Sequence, residues 1–91
     1  MKSPNDIRKL EDKLMTFLML NDIKIGMPIS QKNHIHILGF EYDAISHTIS
    51  IIIPEKLKRN LVTFFKKQGL ENFYIHDITD EAGFINFLVY L

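Results

Sequence analysis

Histidines and carboxylates are the side chains of this 91-residue chain best placed to do chemistry, because it holds no cysteine. That absence removes disulfides, thiolate metal sites and cysteine nucleophiles together. His34 and His36 stand two residues apart, so on a strand they share a face, an acceptable spacing for two metal ligands. His47 is read opposite Tyr42 in a hairpin, roughly 20 Å along the strand from His36, too far to join them. His76 reaches His36 only if two hairpins pair suitably, which the sequence does not decide. Strand-end histidines with ordinary hydrogen bonds are the plainer reading. Asp77, Asp80 and Glu81 surround a turn. As paired carboxylates they could hold a cation or divide acid and base roles, but aspartate is also common in turns, where its side chain bonds nearby backbone. No glycine-rich phosphate loop, nucleophile elbow or other recurring catalytic motif is present. The reading is therefore not an enzyme, with no catalytic residue, no metal and no cofactor assigned. A small metal-dependent hydrolase built on the histidines and the acidic turn is the remotest alternative.

Charge could carry a different chemistry. The formal net charge is zero, so the whole molecule attracts neither nucleic acid nor anionic lipid. Its distribution is uneven: residues 55–67 hold five basic residues and one acid, whereas residues 68–91 hold four acids and no lysine or arginine. Lys56, Arg59, Lys66 and Lys67 cluster opposite the apolar stripe of a helix, with Lys58 near its margin. A solvated outer face explains this, since such faces are normally charged. Phosphate contact by these four residues is the alternative. Single-stranded nucleic-acid sites combine cations with stacking aromatics, and here the aromatic C-terminal hairpin carries only negative charge. The positive helix could instead meet the acidic turn of a neighbouring copy.

The elements that must position these residues follow from periodicity and punctuation. Ser3-Pro4-Asn5-Asp6 reads as a helix start: serine caps, proline suits the first helical position, and Asp6 complements the dipole. Ile7, Leu10, Leu14, Phe17 and Leu18 form its stripe, while Met15 and Met19 lie off it. Residues 23–33, broken by Gly26 and Pro28, read as a loop with a possible edge strand. Residues 34–42 and 47–53 read as a hairpin in which Tyr42 faces His47, Phe40 faces Ile49 and Leu38 faces Ile51. Pro54-Glu55 starts a second helix with the stripe Leu57, Leu61, Phe64 and Phe65, closed by Gly69 and Leu70 as a left-handed cap. A second hairpin joins residues 72–78 to residues 84–91. Pairing Ile78 with Phe84 puts Phe73, Ile75, Ile85, Phe87 and Val89 on one face. Tyr74, His76, Ile78, Phe84, Asn86, Leu88 and Tyr90 then lie on the other.

The expected fold is one α+β domain over residues 1–91: a two-layer αββαββ arrangement whose four-stranded, largely antiparallel sheet carries both helices mainly on one face. One helix on each face is the competing arrangement. A chain this short buries only about 60–65% of its unfolded surface, so association would help it. The N-terminus lacks a secretory pattern, and no apolar run approaches the ~20 residues of a membrane span. A soluble, cytoplasmic protein without membrane contact is expected.

Half-solvated antiparallel sheets normally alternate cleanly between apolar and polar faces. The last strand does not. An apolar, aromatic, charge-poor patch has the composition of an interface core. The expectation is therefore a protein-protein interaction or regulatory module that forms a homodimer through its sheet, with any further protein partner unidentified. Tyr74, Phe84, Leu88 and Tyr90 are its anchors, and Met15 and Met19 a secondary patch. The final strand, ending at Leu91 without a polar tail, could also pair edge to edge with its mate. The order helix, hairpin, helix, hairpin resembles small dimeric interaction modules such as type III secretion chaperones. The chain is shorter, lacks a further C-terminal helix and is less acidic, and no residue role is carried over.

Overall fold

Helix α1 (Pro4–Leu20) begins where the sequence marks it. Asp6 N–H donates to Ser3 Oγ and Ser3 N–H donates back to the Asp6 carboxylate, a reciprocal cap with proline in the first turn. At its far end Asp22 takes a left-handed conformation, and Ile23 N–H donates to Leu18 C=O at 3.0 Å. Strands β1 (Gly39–Asp43) and β2 (Thr48–Pro54) form the first hairpin. A 3₁₀ turn (Glu55–Leu57) leads into α2 (Lys58–Lys67), and β3 (Phe73–Asp77) and β4 (Phe84–Tyr90) form the second hairpin. This computed structural model describes residues 3–29, 35–78 and 83–91.

All strand pairs are antiparallel, in the spatial order β1-β2-β4-β3. The last strand is thus interior, bonded to β2 on one side and β3 on the other, which overturns the expectation that it could pair edge to edge with a second copy. The sheet's free edges are β1 and β3.

Both helices cover the same face. Leu10, Leu14 and Leu18 from α1 and Leu57, Leu61 and Phe65 from the second helical segment pack against Ile49, Ile51, Ile53, Ile85, Phe87 and Val89 in one cluster. Each such side chain contributes about 1.5–3 kcal/mol when fully buried. Phe65 lies among Phe64, Phe73 and Phe87 with ring centroids 5.4, 6.4 and 6.3 Å away, and Phe17 of α1 meets Phe64 at 5.1 Å. After α2, Gly69 (φ 77°) lets Leu70 N–H donate to Phe65 C=O at 2.9 Å and returns Leu70 to the core.

Several details differ from the sequence reading. The first hairpin pairs Tyr42 with Ile49 and Phe40 with Ile51, two residues away from the expected register. His47 belongs to the turn in a left-handed conformation (φ 55°) rather than to the strand. Because side chains alternate with period two, a two-residue slip leaves every face assignment intact. Pro54 is the last residue of β2, paired with Phe84, and not the first residue of a helix.

The first strand is also shorter than residues 34–42. Its N-terminal part, residues 36–38, instead pairs with residues 26–29 through a Pro28–Ile37 bridge. Gly39 makes this change of partner possible. Its φ is 131°, and a Cβ there would stand 3.0 Å from Ile25 Cγ2.

Candidate interaction surface

The face that no helix covers is built in rows, and register assigns each residue its neighbours. One row runs Glu41, Ser50, Leu88, Tyr74 from edge to edge, and the next Gly39, Ile52, Asn86, His76. Asp43, Thr48 and Tyr90 lie beyond the first row, and Pro54 with Phe84 beyond the second. Ser50 Oγ donates to Asn86 Oδ1 at 3.0 Å across the two central strands, so the polar floor is partly satisfied internally. Tyr74 and Tyr90 meet edge to face, centroids 5.8 Å apart, and form a raised aromatic rim. They are 55% and 38% exposed, while Phe84 and Leu88 are half-buried. Among the described residues, β1 to β4 contain no lysine or arginine. The four expected anchors thus share one open face.

Two shallow hollows border this floor and meet at Glu41 and Ser50. One, of ≈ 630 Å³, lies below the β1–β2 turn against Leu88 and Tyr90. The other, of ≈ 490 Å³, is lined by Ile52 together with Ile25, Ile35 and Ile37. These three isoleucines are all exposed, and they extend the apolar surface past the sheet. Alternation along residues 34–42 sets Ile35 and Ile37 on the face opposite His36 and Leu38, but neither was among the expected anchors. The signal was present: isoleucine at alternate positions opposite His36 and Leu38.

The secondary patch is separate. Met15 and Met19 are 45% and 63% exposed, but they project from α1 on the far side of the molecule. They extend no surface of the sheet. Lys56, Arg59, Lys66 and Lys67 are exposed, and they too belong to the helical layer. These four cations and the open aromatics therefore lie on opposite sides of the sheet, whereas a base-stacking groove combines the two.

Among the described residues His36 and His76 do not converge. His76 stands on β3, with β4 and β2 between it and β1, and His36 lies beyond β1. His34, Asp80 and Glu81 lie outside the described residues. Among the described residues no three histidine or carboxylate side chains gather as a metal would need. Asp43 has a local role: Ile45 N–H donates to its Oδ1 at 2.9 Å, holding the carboxyl below the ordinary carboxylate range, assisted by Ser46. Among the described residues no helix is long and apolar enough to cross a membrane.

No protein-family model matches the chain, and no curated protein or solved structure does either.

Proposed function

We propose that this chain is a non-enzymatic interaction module of the cytoplasm that self-associates through its open sheet face. The observation that carries the reading is the row Ser50–Leu88–Tyr74 with Tyr90 beside it. Leu88, Tyr74 and Tyr90 are large apolar and aromatic side chains on a rigid sheet, left open by two helices that both pack elsewhere. Aromatic anchors on a preformed surface lose little rotamer freedom on contact, and the four strands carry no lysine or arginine to desolvate.

A second copy is the partner of choice because the face is complementary to itself. The projecting Tyr74 rim lies at one side of the floor, and the hollows against Glu41 and Ile52 lie at the other. A two-fold axis along the central strands sets each rim over the other copy's hollow. The floor alone, four strands at ~4.8 Å by about five residues at ~3.4 Å, spans on the order of 300 Å². A standard interface buries ~800 Å² per partner, so Ile25, Ile35 and Ile37 are part of the contact and its affinity is modest.

Sedimentation of Leu88→Asp tests the reading. A carboxylate in the centre of the face dissociates the assembly, while circular dichroism stays that of the folded chain. Retention of the parent assembly by a folded Leu88→Asp contradicts it.

A further inference from the structure

The two edges of the sheet are finished differently. Tyr90 N–H donates to Asn72 C=O at 2.9 Å and Ile78 N–H donates to Phe84 C=O at 3.4 Å. Even-numbered residues 72–78 therefore turn their backbone groups toward β4, and Phe73, Ile75 and Asp77 turn theirs outward. The same alternation on β1 turns Leu38, Phe40 and Tyr42 outward, and there the chain covers itself. Leu38 N–H donates to Met27 C=O, Gly26 N–H to Leu38 C=O, and Ile29 N–H to His36 C=O. Glu41 and Asp43 add charge to that edge. Among the described residues nothing comparable bonds the outward groups of β3.

Strand β3 is also less protected as an edge, its one acid, Asp77, standing at its last position. It has no proline and no lysine. Phe73 and Ile75 point to the helical side yet are only half-buried, and Tyr74 on the other side is more than half exposed. Over Phe73–Ile75 the edge is apolar above and below, as it would be where a further strand belongs.

We infer that β3 pairs antiparallel with β3 of a second copy, with Ile75 on the two-fold axis. The outward groups at residues 73, 75 and 77 are symmetric about Ile75, so this register satisfies all of them at once. Phe73 lies opposite the partner's Asp77, and Ile75 opposite the partner's Ile75, each pair exchanging two N–H···O bonds. Asp77 thus never faces its own copy, and Tyr74 comes opposite the partner's His76. The product is a continuous eight-stranded sheet whose open faces lie on the same side. The inference shares with the proposed function the premise that the chain meets itself, but it uses a different contact. The two-fold axes of edge and face do not intersect, so together they extend the assembly into open chains as concentration rises.

Amide hydrogen exchange on the unmodified chain and on Leu88→Asp separates the two contacts. The amides of Phe73, Ile75 and Asp77 are expected to slow about tenfold or more between micromolar and millimolar protein, in both backgrounds. Free exchange at every concentration overturns the edge contact, and leaves the face contact standing if Leu88→Asp still dissociates the assembly. Protection in a sample that sediments as a monomer overturns the second copy as occupant. Register is read by Tyr74→Cys/His76→Cys in this cysteine-free chain. Opposed non-hydrogen-bonded residues lie about 4.5 Å apart between Cα atoms, within disulfide reach. Mild oxidation is expected to give a covalent dimer, and a folded variant that stays uncrosslinked at millimolar concentration contradicts the register.

Discussion

The two faces of this sheet are made by the same strands and both carry large apolar side chains, the open one interleaved with Glu41, Ser50, His76 and Asn86, and they end in different environments. On the helical side Ile49, Ile51, Ile53, Ile85, Phe87 and Val89 are buried. On the other side Ile52, Phe84 and Leu88 remain half-buried, and Tyr74 and Tyr90 stand open. Hydrophobicity alone therefore does not decide burial. Two helices of this length shelter one face of a four-stranded sheet, and the surplus apolar surface on the other is available for contact.

Substitutions that treat the faces alike should show unlike costs. Phe65→Ala, in the covered core, is expected to lose about 3–5 kcal/mol in urea unfolding, whereas Leu88→Ala on the open face loses about 1 kcal/mol or less. Equal losses would break the distinction. Gly39→Ala should cost about 1–3 kcal/mol in thermal unfolding, from a left-handed backbone and the clash with Ile25. Ser50→Ala removes the hydrogen bond to Asn86 and is expected to cost about 0.5–1.5 kcal/mol. Arg59→Glu and Lys66→Glu change stability by about 0.5 kcal/mol or less and leave sedimentation unchanged. Loss of assembly in either would move the contact from the sheet to the basic helix.

The smallest effect is a pH effect. Asp43 is lowered by its bond to the Ile45 amide, so its contribution is present above the ordinary carboxylate pKa and is lost as pH falls through the depressed value. The difference in melting temperature between the parent and Asp43→Ala should narrow on acidification. A gap that is constant with pH would assign the effect to turn geometry alone.

Local features were legible in the sequence because their causes are local. Ser3 and Asp6 cap α1, Gly69 and Leu70 close α2, and period-two alternation sorted the named residues of β3 and β4 to their two faces. What was not legible depends on distant pairing or on unusual backbone. His47 occupies a left-handed turn position that composition would give to glycine or asparagine, which displaced the hairpin register by two. Pairing of β2 with β4 connects residues far apart in sequence, and no local pattern encodes it. That pairing makes β4 interior and hands the open edge to β3. It also decides the site: the anchors Tyr74, Phe84, Leu88 and Tyr90 could be grouped in advance. The flank of Ile25, Ile35 and Ile37 joined them only once residues 26–29 had folded against residues 36–38.

The most direct test is the molar mass of the unmodified chain in dilute solution. Light scattering across a micromolar dilution series is expected to give at least twice the 10.7 kDa of one chain, falling toward the single-chain mass at the lowest concentrations. A constant single-chain mass throughout the micromolar range would contradict self-association through the sheet.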